Sequence, residues 1–190
     1  MGDEGAPNER ADVPIRLAAT VVLGRDSGAG LQVLMVRRNA SLVFFGGAWV
    51  FPGGRVEPED HVGAADALEA ARIAGAREVH EEVGLRLSPA HMRHFSRWVT
   101  PPGRPRRFDA RFFLVDAQAV ANDPDDFSGA EAELSHLQWI PLAEARRFNL
   151  PFITEVVLGE VAGLIGSGLP PASVPFFDNR GERSAFQRLE

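Results

Sequence analysis

The chain contains no cysteine. Disulfides and thiolate metal sites are therefore excluded, and a reducing compartment is the expected setting. No uninterrupted apolar run approaches the ~20 residues of a membrane-spanning helix, and no charged-then-apolar leader opens the sequence. A cytoplasmic protein with no membrane partner is expected. A basic surplus is also missing: the net charge is −6. Proteins that bind nucleic-acid polymers usually carry a basic face, so that class is disfavoured. There is no internal repeat, no low-complexity tract and no stretch that reads as a linker. What remains is an ordinary globular composition, 45% hydrophobic and 24% charged over 190 residues, which suits one domain with a real core.

Residues 1–14 are polar, mixed in charge and interrupted by Gly and Pro, and read as a flexible tail; residues 15–190 read as one domain. LAATVVL (17–23) and LQVLMVRR (31–38), joined by RDSGAG, predict a β-hairpin. AWVF (48–51) is a further short strand, stopped by Pro52-Gly53-Gly54. Leu68, Ile73, Ala76, Val79 and Val83 recur at helical spacing, predicting an amphipathic helix over 64–83 with Gly84 as its C-cap. Strands are expected at 94–99, 107–117 and 137–140. Helices are expected over 141–148 and 151–166, each with Pro near its start, and the turn-rich remainder leaves room for one late strand. An antiparallel hairpin followed by alternating strands and helices indicates the α/β class with a mixed sheet.

The helix over 64–83 carries an arrangement that stability alone does not favour. Glu78, Glu81 and Glu82 stand at i, i+3 and i+4 and project from one face, with Cβ atoms ~5–6 Å apart. Like charges there repel, and the C-terminal part of a helix disfavours anions. A divalent cation reverses that cost. Mg²⁺ takes oxygen ligands at ~2.0–2.1 Å and keeps waters free for phosphates. His80 lies on another face, so no soft-metal set competes. Arg77 is spaced to pair with Glu81 or with Glu69 and hold the carboxylates in place. The competing reading is a solvated charged helix laced by i,i+4 pairs.

The string resembles the Nudix hydrolase signature, G-x5-E-x7-R-E-U-x-E-E-x-G-U with U an Ile, Leu or Val. Gly63, Glu69, Arg77, Glu78, Val79, Glu81, Glu82, Gly84 and Leu85 match it. The resemblance covers about residues 15–170 and implies the family's α/β/α sandwich, built on a mixed β-sheet. It further implies hydrolysis of a nucleoside diphosphate linked to another moiety, with a small-molecule nucleotide as partner and a homodimer left open. By the same resemblance Glu81 and Glu82 bind Mg²⁺ or Mn²⁺, Glu78 is a ligand or the general base, the Gly53 carbonyl completes the metal shell, and Arg77 orients the carboxylates. Glu131 or Glu133 would supply the additional base that some members take from a distant loop.

Family members usually begin the signature at the second Gly of a Phe-Pro-Gly-Gly turn. Here that turn is Phe51-Pro52-Gly53-Gly54, upstream of Gly63. Starting at Gly54 would place Asp60 at the first acidic position and leave the spacing to Arg77 too long. Gly53 and Gly54 are read as the structural turn and Pro58–Asp66 as an insertion.

RWVTPPGRPRRFDARFFLVD (97–116) gives a narrower resemblance, to the branch related to peroxisomal coenzyme A diphosphatases, with Arg37, Arg38 and Ser41 as a loose version of its upstream pattern. Coenzyme A or a related nucleotide derivative is the implied substrate. Arg37, Arg104, Arg106 and Arg107 are candidate phosphate contacts, since guanidinium suits bidentate oxyanion binding. Asp109 and Arg111 are spaced for an ion pair on one sheet face. Trp49, Trp98 and Trp139 are read as packing residues. The alternative functional readings are a non-catalytic nucleotide sensor and a structural domain with a merely charged helix.

Overall fold

The computed structural model describes residues 13–41, 46–131, 134, 136–165, 171–181 and 183–190. The tail expected over 1–14 therefore falls almost wholly outside the described residues. The hairpin forms as expected: β1 (Ile15–Asp26) and β2 (Leu31–Arg37) pair antiparallel from Gly24↔Val33 to Asp26↔Leu31. The Asp26 carboxylate accepts from the Gly28 amide and the Ser27 hydroxyl donates to the Gly30 carbonyl, closing the turn.

Beyond Gly24 the two strands part, and the turn region fills the opening. β3 (Trp49–Val50) pairs with the far end of β2, while β4 (Gly53–Arg55) pairs with β1 at Ala18–Thr20. Between them, the Pro52 carbonyl accepts from the Val21 amide at 2.9 Å. On its other edge β1 runs parallel to β6 (Arg107–Asp116), in register from Ile15↔Arg107 to Gly24↔Asp116. β5 (Arg93–Val99) is antiparallel to β6 and parallel to β8 (Val174–Asp178), and β9 (Ala185–Leu189) closes that side. β7 (His136–Pro141) covers the outer edge of β2. All the strands join one mixed sheet. Two late strands form where one was expected.

Alternation along the strands sends successive side chains to opposite faces. Ala19, Val21, Leu23, Phe113 and Val115 meet helix α1 (Ala67–Val83) through Ala71, Ala74, Val79 and Val83. Val22, Met35, Phe95, Phe112, Leu114 and Ile140 meet helix α2 (Phe152–Val161) through Val157, Leu158 and Val161. The result is the expected α/β/α sandwich. Helix α1 starts at Ala67, three residues later than the expected span 64–83, because the Asp66 carboxylate accepts from the Leu68 and Glu69 amides and fixes the N-terminus there. Among the described residues no helix is long and apolar enough to cross a membrane.

One expected helix is absent. Residues 141–148 hold only a 3₁₀ turn at Ala145–Arg147. Pro141 still belongs to β7, opposite Gln32, and the Leu142 amide bonds the Leu31 carbonyl. By Phe148 the chain is extended again, and Pro151 lies ahead. Sheet pairing on one side and extended chain on the other leave too few residues for an α-helix.

Gly84 ends α1 in the left-handed region, at φ 79°, with its amide bonded to the His80 carbonyl. A Cβ there would also lie 2.9 Å from the backbone carbon of Gly129. Gly84→Ala is expected to cost about 1–2 kcal/mol for the backbone conformation alone, and more for the overlap. The midpoint of urea unfolding measures it; an unchanged midpoint contradicts this packing.

Candidate functional site

The opening between β1 and β2 delivers Gly53 and Gly54 to α1. Each is a glycine for its own reason. A Cβ on Gly53, at φ 151°, would stand 2.2 Å from the Ala19 carbonyl oxygen across the sheet. A Cβ on Gly54 would stand 2.3 Å from the Glu78 carboxyl carbon. The turn is thus a bare cradle against which a helical carboxylate lies.

Glu78 and Glu82, one helical turn apart, both face this cradle. The Gly53 amide donates to Glu82 Oε2 at 2.9 Å. Burial pushes the Glu82 carboxyl up to about 7; the Gly53 N–H and the charge of Arg38 oppose that shift, while Glu78 and Glu131 add to it. Burial raises Glu78 as well, against the pull of Arg77. Glu81 points more outward and is half exposed, at 54%.

Arg77 ties the cluster together. Its Nε and Nη2 donate to Asp60 Oδ1 and Oδ2 at 3.1 and 2.9 Å. Nη1 donates to Glu78 Oε1 and Glu81 Oε2, each at 2.9 Å, and Nη2 also donates to the Arg55 carbonyl at 3.0 Å. Asp60 is 3% exposed, and its Oδ2 also accepts from the Glu57 amide. Burial alone would raise its carboxyl, but the Arg77 and Glu57 hydrogen bonds hold it below its usual value.

This geometry revises the expected insertion. Pro58–His61 form a 3₁₀ turn whose Asp60 is the buried partner of Arg77, so Asp60 belongs to the cluster rather than to an added loop. The segment that stands away begins after it: Val62 is 80% exposed and a Cβ on Gly63 would meet nothing within 4 Å. Glu69 pairs with Arg72 at 3.1 Å, whereas Arg77 spends its donors on Asp60, Glu78, Glu81 and Arg55. The sequence offers Asp60 at the first acidic position and sets it aside only because the residues between it and Arg77 break the linear spacing. Its signal was the G-x5-D interval counted from Gly54.

The acidic loop after β6 is fastened to the end of α1. Asn122 donates to the Gly84 carbonyl and accepts from the Arg86 amide, Gly129 lies against Gly84, and the Glu131 amide bonds the Glu82 carbonyl at 3.1 Å. Glu131 is thereby held at the rim of the cluster. Glu133 lies outside the described residues.

The candidate arginines divide. Arg37, exposed at the end of β2, donates through Nε to the Gly47 carbonyl at 3.3 Å. Arg104 is exposed in the loop between β5 and β6. Arg106 and Arg107 lie at the start of β6, near Arg16 and Arg55. Asp109 pairs in two-pronged fashion with Arg97 at 2.8 and 2.6 Å, where Arg111 was the expected partner. The nearer guanidinium comes from the neighbouring strand, which spacing along one strand cannot reveal. Trp49 packs edge-on against Phe148, Trp98 against Phe152 and Phe177, and Trp139 donates to the Pro124 carbonyl.

Among the described residues no three His, Cys, Asp or Glu side chains stand together closely enough to enclose a metal ion. The donor set nonetheless suits a hard cation. Two half-buried carboxylates, both pushed towards protonation, share a cradle that admits no side chain, and their hydrogen-bond partners are the Gly53 amide and the Arg77 guanidinium, which leaves oxygen as the donor atom offered to a cation.

Comparison with known proteins bears on this site. The NUDIX domain family model matches residues 14–158. The m7GpppN-mRNA hydrolase NUDT17 of Danio rerio is 35% identical over 144 residues, covering 70% of this chain and 44% of that protein. Its Xenopus laevis counterpart is 37% identical over 86 residues, covering 44% of this chain and 26% of that protein. The chain thus spans less than half the length of the curated relatives it matches. A NUDIX hydrolase from Alicyclobacillus acidocaldarius superposes with a TM-score of 0.65 at 26% identity, over 80% of this chain and 93% of its own. The NUDIX domain of Shewanella oneidensis NrtR, solved with ADP ribose, shares the fold at a TM-score of 0.57 and 19% identity, over 83% of this chain and 92% of its own.

The Glu82 shift has a consequence for metal-free protein. Its carboxyl moves from an ordinary 4.5 to about 7 on folding. Between those values the folded state binds the proton more tightly, so stability is full below 4.5 and falls as pH rises to 7. Glu82→Gln should remove a slope of at most about 1.4 kcal/mol per pH unit and make the variant the more stable protein at pH 8 in EDTA. Urea unfolding of both proteins across pH 5–8 measures this; parallel profiles contradict it.

Proposed function

The chain belongs to the NUDIX domain family, and on that premise we propose that residues 15–190 form one domain that hydrolyses the pyrophosphate linkage of a nucleotide derivative with a divalent cation. The observation that carries this reading is the seating of Glu78 and Glu82 on Gly53-Gly54 under the Arg77 clamp. A helix stabilised only for its own sake would not draw two carboxylates together out of full solvent and leave one of them with a backbone amide as its hydrogen-bond donor.

Glu78, Glu82 and the Gly53 carbonyl would hold Mg²⁺ or Mn²⁺, with Glu81 adding a carboxylate from the edge of the array. The chemistry such an ion supplies when bound is charge withdrawal from a diphosphate oxygen and a lowered pKa for a coordinated water. Arg77 holds Glu78 and Glu81 in fixed rotamers and keeps Asp60 buried, so the array is set before substrate arrives. Glu131, whose amide bonds the Glu82 carbonyl, would take the proton of an attacking water.

For the substrate, the relatives' names denote hydrolysis of the m7GpppN end of mRNA, and the motif from Arg97 to Asp116 resembles the coenzyme A branch. Both are nucleotides with a phosphoanhydride linkage to a second moiety. The negative net charge favours a small nucleotide derivative over a long polymer.

The test is a hydrolysis panel of coenzyme A, a cap dinucleotide, ADP-ribose, NADH and nucleoside triphosphates with Mg²⁺ or Mn²⁺. Turnover of at least one is expected, with Glu78→Gln and Glu82→Gln each lowering kcat by about 10²–10⁴ without unfolding. Asp60→Asn, which weakens the grip on Arg77, should cost about 10–100-fold. Full activity in the Gln variants contradicts the site, and binding without turnover of any compound favours a non-catalytic sensor.

A further inference from the structure

The sheet ends on an edge that the carboxylate site does not use. Its strand order is β3-β2-β1-β6-β5-β8-β9, and among the described residues β9 pairs only with β8. β9 is exposed from Ala185 to Arg188, and Phe186 is 55% exposed. Edge strands commonly carry proline, lysine or a bulge that discourages further pairing. β9 reads AFQRL, with neither proline nor lysine, and its ladder with β8 runs from Val174↔Leu189 to Asp178↔Ala185 without a register shift.

Pro175 sets the phase of that ladder. Antiparallel pairs alternate between those that exchange both N–H···O bonds and those that exchange none. Pro175 has no N–H to give, so the Pro175↔Arg188 pair is of the second kind. Phe176↔Gln187 is then of the first kind, and Phe177↔Phe186 again of the second. The main-chain N–H and C=O groups of Phe186 and Arg188 therefore point away from β8, towards the free edge.

The side chains on this edge fit a copy of themselves. Two β9 strands placed antiparallel about a two-fold axis at Gln187 set Phe186 of one copy opposite Arg188 of the other, and the reverse. Both residues face the edge, so each such pair can exchange both main-chain bonds. Within one chain the Arg188 guanidinium already stands over the Phe186 ring at 5.7 Å. Phe186 is held from its inner side by Phe177 at 5.1 Å, and Phe177 by Trp98 at 4.6 Å. The open side of the ring is thus presented, already ordered, to the guanidinium of the second copy. On the other face of the sheet Ala185 would meet Leu189, and beyond them Ser184 would meet Glu190, so no like charges stand opposite each other.

We propose that the β9 edge is a self-association surface, through which two copies of this chain join their sheets antiparallel about Gln187. The partner is a second copy rather than an unrelated strand because the Phe186–Arg188 pair is its own complement under a two-fold axis. β1 and its partner β4 lie beyond β8, β5 and β6, so the carboxylate cluster of each copy stays open. A five-residue edge is a small interface beside the ~1,200–2,000 Å² of stable complexes, and a reversible dimer with a Kd in about the micromolar range is expected.

The test is sedimentation velocity of the full chain over about 1–100 μM. The weight-average mass is expected to rise from 20.6 kDa towards twice that value. Arg188→Pro removes an outward N–H and no bond to β8, so it should stay monomeric across the range with Tm unchanged. Phe186→Arg, which leaves the backbone alone and sets guanidinium groups opposite each other, should also stay monomeric. Gln187→Cys supplies the one thiol in a chain without cysteine, at the point where the copies meet, and mild oxidation should convert it to a covalent dimer. Ser184→Cys, which faces Glu190 in this register, should not cross-link. A native chain that stays monomeric at the highest concentration overturns the proposal, as does a dimer that persists in either folded variant. A dimer that Gln187→Cys fails to cross-link, or that Ser184→Cys links equally well, places the interface elsewhere and overturns it too.

Discussion

The structure around the site depends on one guanidinium. Arg77 reaches from α1 to Asp60 on the 3₁₀ turn, to the Arg55 carbonyl on β4, and to Glu78 and Glu81 on its own helix. It therefore joins three segments that no continuous hydrogen-bond ladder connects. Its pairing with Asp60 is the most buried of these contacts, and losing one partner of a buried pair typically costs about 3–5 kcal/mol. Lysine cannot replace it, because a single ammonium cannot grip a carboxylate with two parallel N–H groups and still reach a carbonyl.

A second constraint is geometric. β1 pairs with β2 only from Gly24 to Asp26, and earlier in the strand, at Ala18–Thr20, it takes β4 as its partner. Only that exchange brings the Gly53 amide within 2.9 Å of Glu82. Two glycines are needed because the sheet backbone crowds one and the Glu78 carboxyl crowds the other. Fold and site share this feature: the wedge that opens the sheet is the cradle for the carboxylates.

Local signals were legible in the sequence, and distant pairings were not. The hairpin, the amphipathic stretch that became α1, the Gly84 cap and the shared face of Glu78 and Glu82 all follow from spacing and residue type, and all are present. The parallel pairing of β1 with β6 joins residues such as Ile15 and Arg107 and has no local trace. Asp60 was hidden by the exposed residues that follow it, and Arg97 by its place on a different strand from Asp109. The helix expected at 141–148 gave way to sheet pairing at Pro141 and Leu142, which propensity does not register.

The central claim is that a divalent cation seats between Gly53-Gly54 and the Glu78–Glu82 face. The most direct measurement is paramagnetic relaxation of backbone amide signals on titration with Mn²⁺. The account predicts stronger enhancement at Gly53, Gly54 and Glu82 than at Gly63, and its loss in Glu82→Gln. Stronger enhancement at Gly63 than at Gly53 and Gly54, or an unchanged pattern in the variant, would contradict it.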